Sequence, residues 1–309
     1  MKKVIDDVYV VKPFDPEVVD CCVYLVDTKS DDGLILIDAG INFEPIQEIE
    51  KEGFKLRDVK HCLITHGHLD HYGICYRLKE FNPNIKFYAH ELDAEKIEQK
   101  QTAPFPNPFY ERFQYEPVKI ARIIKEDNEI IKFGQLEFRC IHIPGHTPGS
   151  LAYILNISGK NILFAGDIPG IAIDIGDGNL NQYIKSLEKL LNLEIDYMLE
   201  GHEKISHPAE KVRRFIKGYL EFNRDLNTIV LENPKNTKVL LSLAMLSEDL
   251  GWYSSVVDFC NYLLEIEPQN KEAKKLLKKM EELNPPKIEF VKRLIEQNYK
   301  GDIEINNLS

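Results

Sequence analysis

The feature that most constrains this chain is the segment 65–71, which has the sequence Thr-His-Gly-His-Leu-Asp-His. It places three imidazoles and one carboxylate close together, in His66, His68, Asp70 and His71. Imidazole nitrogen and carboxylate oxygen are the ligands that zinc, iron or manganese take in sites that keep one position open for water. In an extended turn His66 and His68 point to one side, whereas Asp70 and His71 reach a second point nearby. This spacing is typical of a site for two adjacent metal ions.

The segments on either side of residues 65–71 predict a rigid platform for such a site. Residues 59–65 have the apolar pattern of a strand, and residues 72–81 have that of a helix ended by Asn82 and Pro83. A side chain at the end of a strand is held more firmly than one on a free loop. We therefore expect the four side chains to lie where a strand ends and a helix begins.

Most of the chain before residue 200 alternates between predicted strands and predicted helices. Strands are expected at residues 8–11, 22–26, 33–38 and 85–89, helices at 45–51, 90–101 and 179–192, and hairpins at 130–143 and 151–165. This alternation favours two facing mixed sheets with helices outside them, a layered α/β fold.

A domain boundary is expected near residue 232. A long helix should begin around residues 206–208, because proline is favoured in a first helical turn, and apolar residues recur at helical spacing from 212 to 226. Glu232, Asn233 and Pro234 end this helix. The chain is thus predicted to have a first domain at 1–232 and a small all-α extension at 233–309.

The extension is predicted to consist of short helices. Residues 237–268 resemble a single tetratricopeptide repeat, with two helices joined by a turn at Gly251. Ser247 stands where the repeat prefers an aromatic ring, so a plain helical hairpin is the alternative. Further helices are expected at 270–283 and 286–298. A single repeat cannot form the peptide-binding groove of stacked units. We expect the extension to pack on the first domain, to form a homodimer or bind a protein partner, or to shape the mouth of the site.

Composition argues against several classes of function. The net charge is −11, and residues from Lys235 onward contribute only −1 of it, so the first domain is acidic. A surface that binds a phosphate backbone must be basic, so no nucleic-acid partner is expected. No apolar stretch has the length of a signal peptide or a membrane span, which predicts a cytoplasmic protein without a membrane partner. The six cysteines have no CxxC spacing and are expected to be buried, reduced thiols.

Further motifs accompany the histidine-rich segment. Residues 144–150 have the sequence Pro-Gly-His-Thr-Pro-Gly-Ser, and Asp167 and His202 follow in Phe-Ala-Gly-Asp and Glu-Gly-His. Upstream, an apolar strand ends in Asp-Ala-Gly at residues 38–40. In this order and at these intervals, the motifs resemble the His-x-His-x-Asp-His signature and its companions in the metallo-β-lactamase superfamily, over residues 1–230.

The resemblance implies a fold and a set of metal ligands. The fold is the αββα sandwich of that superfamily, in the first domain. The ligands are His66, His68 and His146 for a first metal and Asp70, His71 and His202 for a second, with Asp167 as a bridge. The expected cofactors are two divalent metal ions, zinc first, with iron or manganese as alternatives.

The same resemblance implies a reaction. True β-lactamases of this fold lack the bridging aspartate, and flavo-diiron proteins have glutamate in place of the second histidine, whereas this chain has Asp167 and His68. It therefore resembles glyoxalase II, lactonases and related dinuclear hydrolases. These would cleave a small thioester, ester or lactone with a metal-bridging hydroxide as nucleophile. Asp70 is expected to act also as a proton acceptor.

Three other functions are alternatives. A sulfur dioxygenase of this superfamily uses a single iron ion, a phosphodiesterase is disfavoured by the acidic first domain, and a scaffold with a vestigial site is disfavoured because all seven ligands are present. The extension cannot be matched to the helices that contact glutathione in glyoxalase II. The substrate is expected to be a small molecule of undefined identity.

Several other residues have two interpretations each. Asp38 either orients a ligand or closes a turn. Tyr72 and Tyr183 either contact a developing oxyanion or belong to the core. Residues 102–117, rich in proline and aromatic rings, form either a lid or partner surface or a loop fixed to the core. None of the remaining histidines is expected to bind metal: His61 and His142 belong either to the core or beside a ligand, His90 is expected near the border of the cleft, and His207 at the start of a helix.

Overall fold

The computed structural model describes residues 1–13, 20–99, 113–168, 178–202 and 205–299. The chain forms two compact units, Met1–Ile216 and Lys217–Ser309. This division falls sixteen residues before the boundary expected after Glu232, inside one long helix, and the expected boundary stays a prediction. Most of the predicted aromatic loop at 102–117 lies outside the described residues.

The strands of the first sheet follow one another in chain order. They are β1 (Lys2–Ile5), β2 (Val8–Lys12), β3 (Val23–Asp27), β4 (Leu34–Ile37), β5 (Val59–Leu63), β6 (Lys86–His90) and β7 (Ile120–Ile124). Neighbours are antiparallel from β1 to β4 and parallel from β4 to β7. Strand β4 is Leu-Ile-Leu-Ile and is buried at every residue, as expected of a strand covered on both faces.

The second sheet is built from two hairpins and one added strand. Its members are β8 (Glu129–Phe133), β9 (Leu136–His142), β10 (Leu151–Ile157), β11 (Lys160–Gly166) and β12 (Tyr197–Glu200). Strand β10 is antiparallel to both β9 and β11, and β12 is parallel to β11. Consequently β9, β11 and β12 run in the same direction and end at the same edge of the sheet.

Two apolar cores separate the layers. Tyr24, Ile35 and Leu63 of the first sheet pack with Phe138 and Phe164 of the second, so the two sheets face each other. The opposite face of the first sheet is covered by α1 (Glu48–Lys51), α2 (Leu69–Tyr72), α3 (Cys75–Phe81) and α4 (Glu91–Gln99). Helix α5 (Leu180–Leu191) lies between β11 and β12 in the chain. This arrangement confirms the predicted αββα sandwich.

The local structure differs from prediction in a few places. The helix predicted at 72–81 is two helices, α2 and α3, interrupted at Gly73 and Ile74. At Gly73 an added Cβ would lie 2.7 Å from the Leu69 carbonyl oxygen, so this position has no room for a side chain. Strands β1, β7 and β12 were not predicted. Every cysteine falls within the described ranges, where each is buried and forms no disulfide.

The second unit is helical, which confirms the predicted C-terminal extension. Its elements are the end of α6 (Ala209–Asn227), a π-helical turn (Thr228–Glu232), α7 (Thr237–Leu250), α8 (Tyr253–Ile266), α9 (Lys271–Glu281) and α10 (Phe290–Asn298). The turn between α7 and α8 is made by Gly251 with a φ of +79°, a conformation that favours glycine. The assignment of this hairpin as a tetratricopeptide repeat stays a prediction. No helix in the described ranges combines the length and the apolar character that a membrane crossing requires.

Candidate metal centre

The predicted site residues lie on loops that leave the ends of four strands. His66, His68, Asp70 and His71 follow β5 and extend into α2. The other three follow strands that end at one edge of the second sheet: His146 after β9, Asp167 after β11 and His202 after β12. A backbone hydrogen bond from Leu151 N to Thr65 O (2.8 Å) ties the two sheets together beside the site.

The first group of side chains brings three ring nitrogens together. His68 Nδ1 lies 3.0 Å from His66 Nε2 and 2.8 Å from His146 Nε2. Burial lowers the pKa of His66, and it lowers the pKa of His68 to about 3. Both rings are therefore neutral at physiological pH and have nitrogen lone pairs available for a cation.

The second group combines two imidazoles and a carboxylate. His202 Nε2 lies 3.1 Å from Asp70 Oδ2 and 3.3 Å from His71 Nε2. The third side of the triangle, from His71 Nε2 to Asp70 Oδ2, is 3.7 Å long. Like the first group, these three atoms surround a single small space.

Asp167 lies between the two groups and faces both. Its Oδ2 is 3.1 Å from His146 Nε2 and 3.8 Å from His66 Nε2. Its Oδ1 is 3.0 Å from His71 Nε2 and 3.3 Å from His202 Nε2. One oxygen of Asp167 is thus directed to each group.

The electrostatics of the site favour positive charge between the carboxylates. Burial would raise the pKa of Asp70, but the charges of His71 and His202 outweigh it and bring the pKa to about 2. Burial would lower the pKa of His202, but Asp167 and Asp70 raise it to about 10. Burial would raise the pKa of Asp167, but the charges of His202 and His71 outweigh it and lower the pKa well below its usual value. Both carboxylates are therefore ionised and stabilise a cation placed beside them.

The donor set fits divalent metal ions. Neutral imidazole nitrogens only about 3 Å apart cannot all donate to one another, since each neutral ring has one N–H. His68 Nε2 and His146 Nδ1, the ring nitrogens outside the cluster, are buried and make no hydrogen bond to the described residues. A cation at the centre of the first group would satisfy its converging lone pairs, and a cation in the second group would take the place of the proton that Asp167 and Asp70 hold on His202.

Asp38 orients one of the clustered histidines. Its Oδ2 lies 2.8 Å from His71 Nδ1 and accepts a hydrogen bond of 2.8 Å from the Thr65 hydroxyl, while Oδ1 accepts the Thr65 N–H at 2.8 Å. The carboxylate thus fixes His71 with Nε2 facing the site, and it also closes the turn. Both predicted roles of Asp38 are served by the same contacts.

The other histidines lie outside the cluster within the described ranges. His61 packs on Phe133 and has its Nδ1 2.9 Å from the Tyr88 hydroxyl. His90 and His142 stack on each other with ring centroids 4.1 Å apart. The remaining one, His207, stacks on Tyr197.

The two tyrosines of uncertain role are buried. Tyr72 and Tyr183 are each at most 3% exposed, and neither hydroxyl has a hydrogen-bond partner among the described residues. Tyr183 lines a small cavity together with His66, His146 and Asp167. Burial raises the pKa of Tyr72 and Tyr183, so both hydroxyls stay protonated.

The sequence did not reveal the buried carboxylate of Asp93. It accepts hydrogen bonds from the N–H groups of Gly67 and Gly149 and from the Thr147 hydroxyl, on the two loops that carry the first histidine group. One available signal was helical spacing, because Asp93 lies four residues before Ile97 on the buried face of α4.

Comparison with known proteins identifies a family for this chain. The model of the metallo-beta-lactamase superfamily matches residues 17–202, more than half of the chain, and its last matched residue is His202. Hydroxyacylglutathione hydrolase GloC of Haemophilus influenzae is 33% identical over 56% of this chain and 85% of its own length. An acyl-coenzyme A thioesterase, MBLAC2 of Bos taurus, is 24% identical over 60% of this chain and 74% of its own length.

Solved structures show the same fold. A subclass B3 metallo-beta-lactamase of Bradyrhizobium japonicum has a TM-score of 0.58 over 73% of this chain and 93% of its own, at 22% identity. At that identity the likeness extends to the fold alone. The family match, the relatives and the convergent histidines and aspartates together imply divalent metal binding. The chain therefore belongs to the metallo-β-lactamase superfamily and is a hydrolase of that fold.

Proposed function

We propose that this protein is a dinuclear metal-dependent hydrolase of small thioesters. The observation that carries the proposal is the position of Asp167, whose two carboxylate oxygens are directed to different groups of ligands. A site for one metal would need only one of these groups. The arrangement supports two adjacent metal positions that share Asp167.

The residues are assigned to the metals by their distances. His66, His68 and His146 would hold the first ion, Asp70, His71 and His202 the second, and Asp167 would contact both. We assign zinc to both positions, with iron or manganese as alternatives. Two such ions, when bound, would supply Lewis acidity that lowers the pKa of a water and polarises a carbonyl oxygen.

The chain's own carboxylates serve the proton transfers. Hydrolysis forms a C–O bond from water to the acyl carbon and breaks the C–S bond, giving a carboxylate and a thiol. Asp70 is ionised and buried in the cluster, so we assign to it the acceptance of the proton that the attacking water loses and its transfer to the sulfur that leaves as the thiol. The remaining proton of the water passes to solvent as the carboxylic acid ionises. Asp38 keeps His71 oriented during this step through the 2.8 Å contact at Nδ1.

Thioesters are the substrate class that the relatives have in common. A hydroxyacylglutathione hydrolase and an acyl-coenzyme A thioesterase are named for different thiols but for the same type of bond. We therefore rank a small thioester above an ester or a lactone. The acidic chain, with a net charge of −11, supports a small molecule over a nucleic acid as the partner. A homodimer or protein partner at the C-terminal helices stays a proposal.

The test is a substrate panel on purified, metal-loaded protein, with metal content measured by elemental analysis. We expect two metal ions per chain and the fastest turnover on S-acylglutathione or acyl-coenzyme A. An acyl-homoserine lactone, bis-nitrophenyl phosphate and a chromogenic cephalosporin complete the panel. Fastest turnover on any of these three would overturn the proposal of a thioester substrate. A single iron with oxygen-dependent turnover would favour the sulfur dioxygenase instead.

A further inference from the structure

Asp93 is a buried carboxylate whose hydrogen bonds within the described ranges lead to the candidate metal centre. It is 0% exposed and lies on the inner face of α4. Its Oδ2 accepts the Gly67 N–H at 2.8 Å and the Thr147 hydroxyl at 2.6 Å, and its Oδ1 accepts the Gly149 N–H at 3.2 Å. These donors belong to two loops that are about eighty residues apart in the sequence.

Each of the bonded loops carries ligands of the first group. Gly67 lies between His66 and His68, and Thr147 directly follows His146. A shift of either loop would therefore move a ring nitrogen in the cluster, where neighbouring nitrogens are only 2.8 and 3.0 Å apart. The Asp93 side chain thus bridges the two loops.

The packing around Asp93 leaves no room for the loops to move closer. A Cβ added at Gly149 would lie 2.6 Å from Asp93 Cγ, and one added at Gly67 would lie 3.3 Å from Asp93 Cβ. Thr147 is held in turn by Ser150, whose Oγ accepts the Thr147 N–H at 3.0 Å. Carboxylate, glycines and threonine therefore form one close-packed hydrogen-bonded unit.

We infer that Asp93 is a positioning residue that sets the spacing of the three histidines of the first metal group. This rests on the proposed function only in that the histidines bind a divalent metal. A carboxylate suits the role because it accepts three donors, whereas an amide has one oxygen and would turn its own NH₂ towards an N–H group.

The test measures metal binding in the full-length protein. Asp93→Asn, Thr147→Val and the wild type are stripped of metal with a chelator, and the Kd for Zn²⁺ is determined by competition with a fluorescent zinc chelator. For Asp93→Asn we expect the Kd to rise about 10- to 100-fold, the range found when a residue that orients ligands is lost. For Thr147→Val, which loses one of the three bonds, we expect a rise of about two- to tenfold.

A matched control distinguishes positioning from loss of stability. Asp258 is also a buried carboxylate that accepts two backbone N–H groups, from Phe290 and Val291, but it lies in the second unit. Asp258→Asn should lower the Tm and leave the Kd for Zn²⁺ at the wild-type value. A wild-type Kd in folded Asp93→Asn, or an equal rise in the Asp258 variant, would overturn the inference.

Two further outcomes are informative. If Asp93→Asn does not fold, the Thr147→Val variant provides the test. A wild-type Kd for Zn²⁺ in this variant would overturn the inference, and a raised Kd would support it. If the wild type binds zinc but hydrolyses no thioester, the proposed function fails, while a raised Kd in the Asp93 variant still supports the positioning role.

Discussion

Asp38 has a left-handed backbone, with a φ of +57°, and its carboxylate bonds both Thr65 and His71. A non-glycine residue in this region is unusual, and aspartate and asparagine are the ones that adopt it most readily. The conformation turns the carboxylate from the end of β4 towards the loop after β5. At this residue, local backbone geometry and ligand orientation depend on each other.

Replacement of Asp38 by asparagine tests the contacts that its carboxylate makes with His71 and Thr65. Asparagine tolerates the same backbone, so the turn should persist, but the hydrogen bond to His71 Nδ1 loses its charged acceptor. We expect metal affinity or kcat to fall about 10- to 100-fold. Zinc competition and steady-state kinetics measure these quantities.

Asp7 provides the control for this substitution. It has a similar left-handed φ of +60° in the turn between β1 and β2 and is not part of the cluster. Asp7→Asn should leave both metal affinity and kcat at wild-type values. Equal values for Asp38→Asn and the wild type would show that His71 is oriented without this contact.

The sequence predicted the clustered side chains better than the residues that support them. The seven side chains stand in short motifs beside strand ends, so local pattern and family resemblance were enough to select them. Asp93 was missed because its donors lie 26 to 56 residues away along the chain. Contacts of that range depend on how elements pack, which no local pattern encodes.

Among the elements, the loop between β9 and β10 is held by close approach of α5. Gly145 has a φ of +137°, and a Cβ added to it would lie 2.4 Å from the backbone nitrogen of Tyr183. The Asn179 N–H also donates to the Gly145 carbonyl at 2.8 Å. The start of α5 therefore fixes the loop that carries His146.

Gly145→Ala should be strongly destabilising for this reason. Backbone strain at such a residue costs about 1–3 kcal/mol, and the clash with Tyr183 adds to it. We expect a loss of at least about 2 kcal/mol in the free energy of unfolding in urea, together with weaker zinc binding. Gly159→Ala is the control, since Gly159 also has a positive φ, +72°, but its added Cβ would meet nothing within 4 Å. Equal effects of the two substitutions would contradict the role of the α5 contact.

Helix α9 offers a test of capping in the second unit. The Asn270 side chain accepts the Ala273 N–H at 3.0 Å and so satisfies one free donor at the helix start. Asn270→Ala should cost about 1 kcal/mol in urea unfolding, and Asn270→Ser, which retains a cap, should cost a few tenths. Identical losses for both substitutions would show that the cap contributes nothing.

The strands that the sequence pattern did not predict are short. Strand β12, Tyr-Met-Leu-Glu, has only four residues, and it is defined by its parallel pairing with β11 rather than by its own alternation. Strand β7 is an edge strand with an arginine at its centre. Longer elements such as β10 and α5 were predicted within about two residues, because their apolar periodicity extends over more positions.

At the scale of the whole molecule, the clustered histidines and aspartates belong to the first unit. All seven clustered side chains lie between His66 and His202, within Met1–Ile216 and within the matched family region. The helical unit supplies no member of the clusters found among the described residues. A homodimer or protein partner of this unit and the cytoplasmic location stay predictions, because neither the sequence pattern nor the fold identifies binding partners or cellular location.

The stability of the whole molecule should depend on pH through buried histidines away from the site. Burial lowers the pKa of His61 to about 4 and that of His90 to about 4, from an ordinary value of 6.5. Between pH 6.5 and 4 the unfolded chain therefore binds more protons at these positions than the folded chain does. The free energy of unfolding should fall as the pH is lowered through this window.

His61→Gln tests the sign of this effect, because glutamine does not titrate and retains a group that can bond the Tyr88 hydroxyl. In chelator-stripped protein we expect the wild type to lose about 1–2 kcal/mol more than the variant between pH 7 and pH 4. Urea unfolding at a series of pH values measures both curves. Parallel curves would mean that His61 takes up a proton in the folded state as readily as in the unfolded chain. The ring would then be less isolated from water than its contacts with Phe133 and Tyr88 indicate.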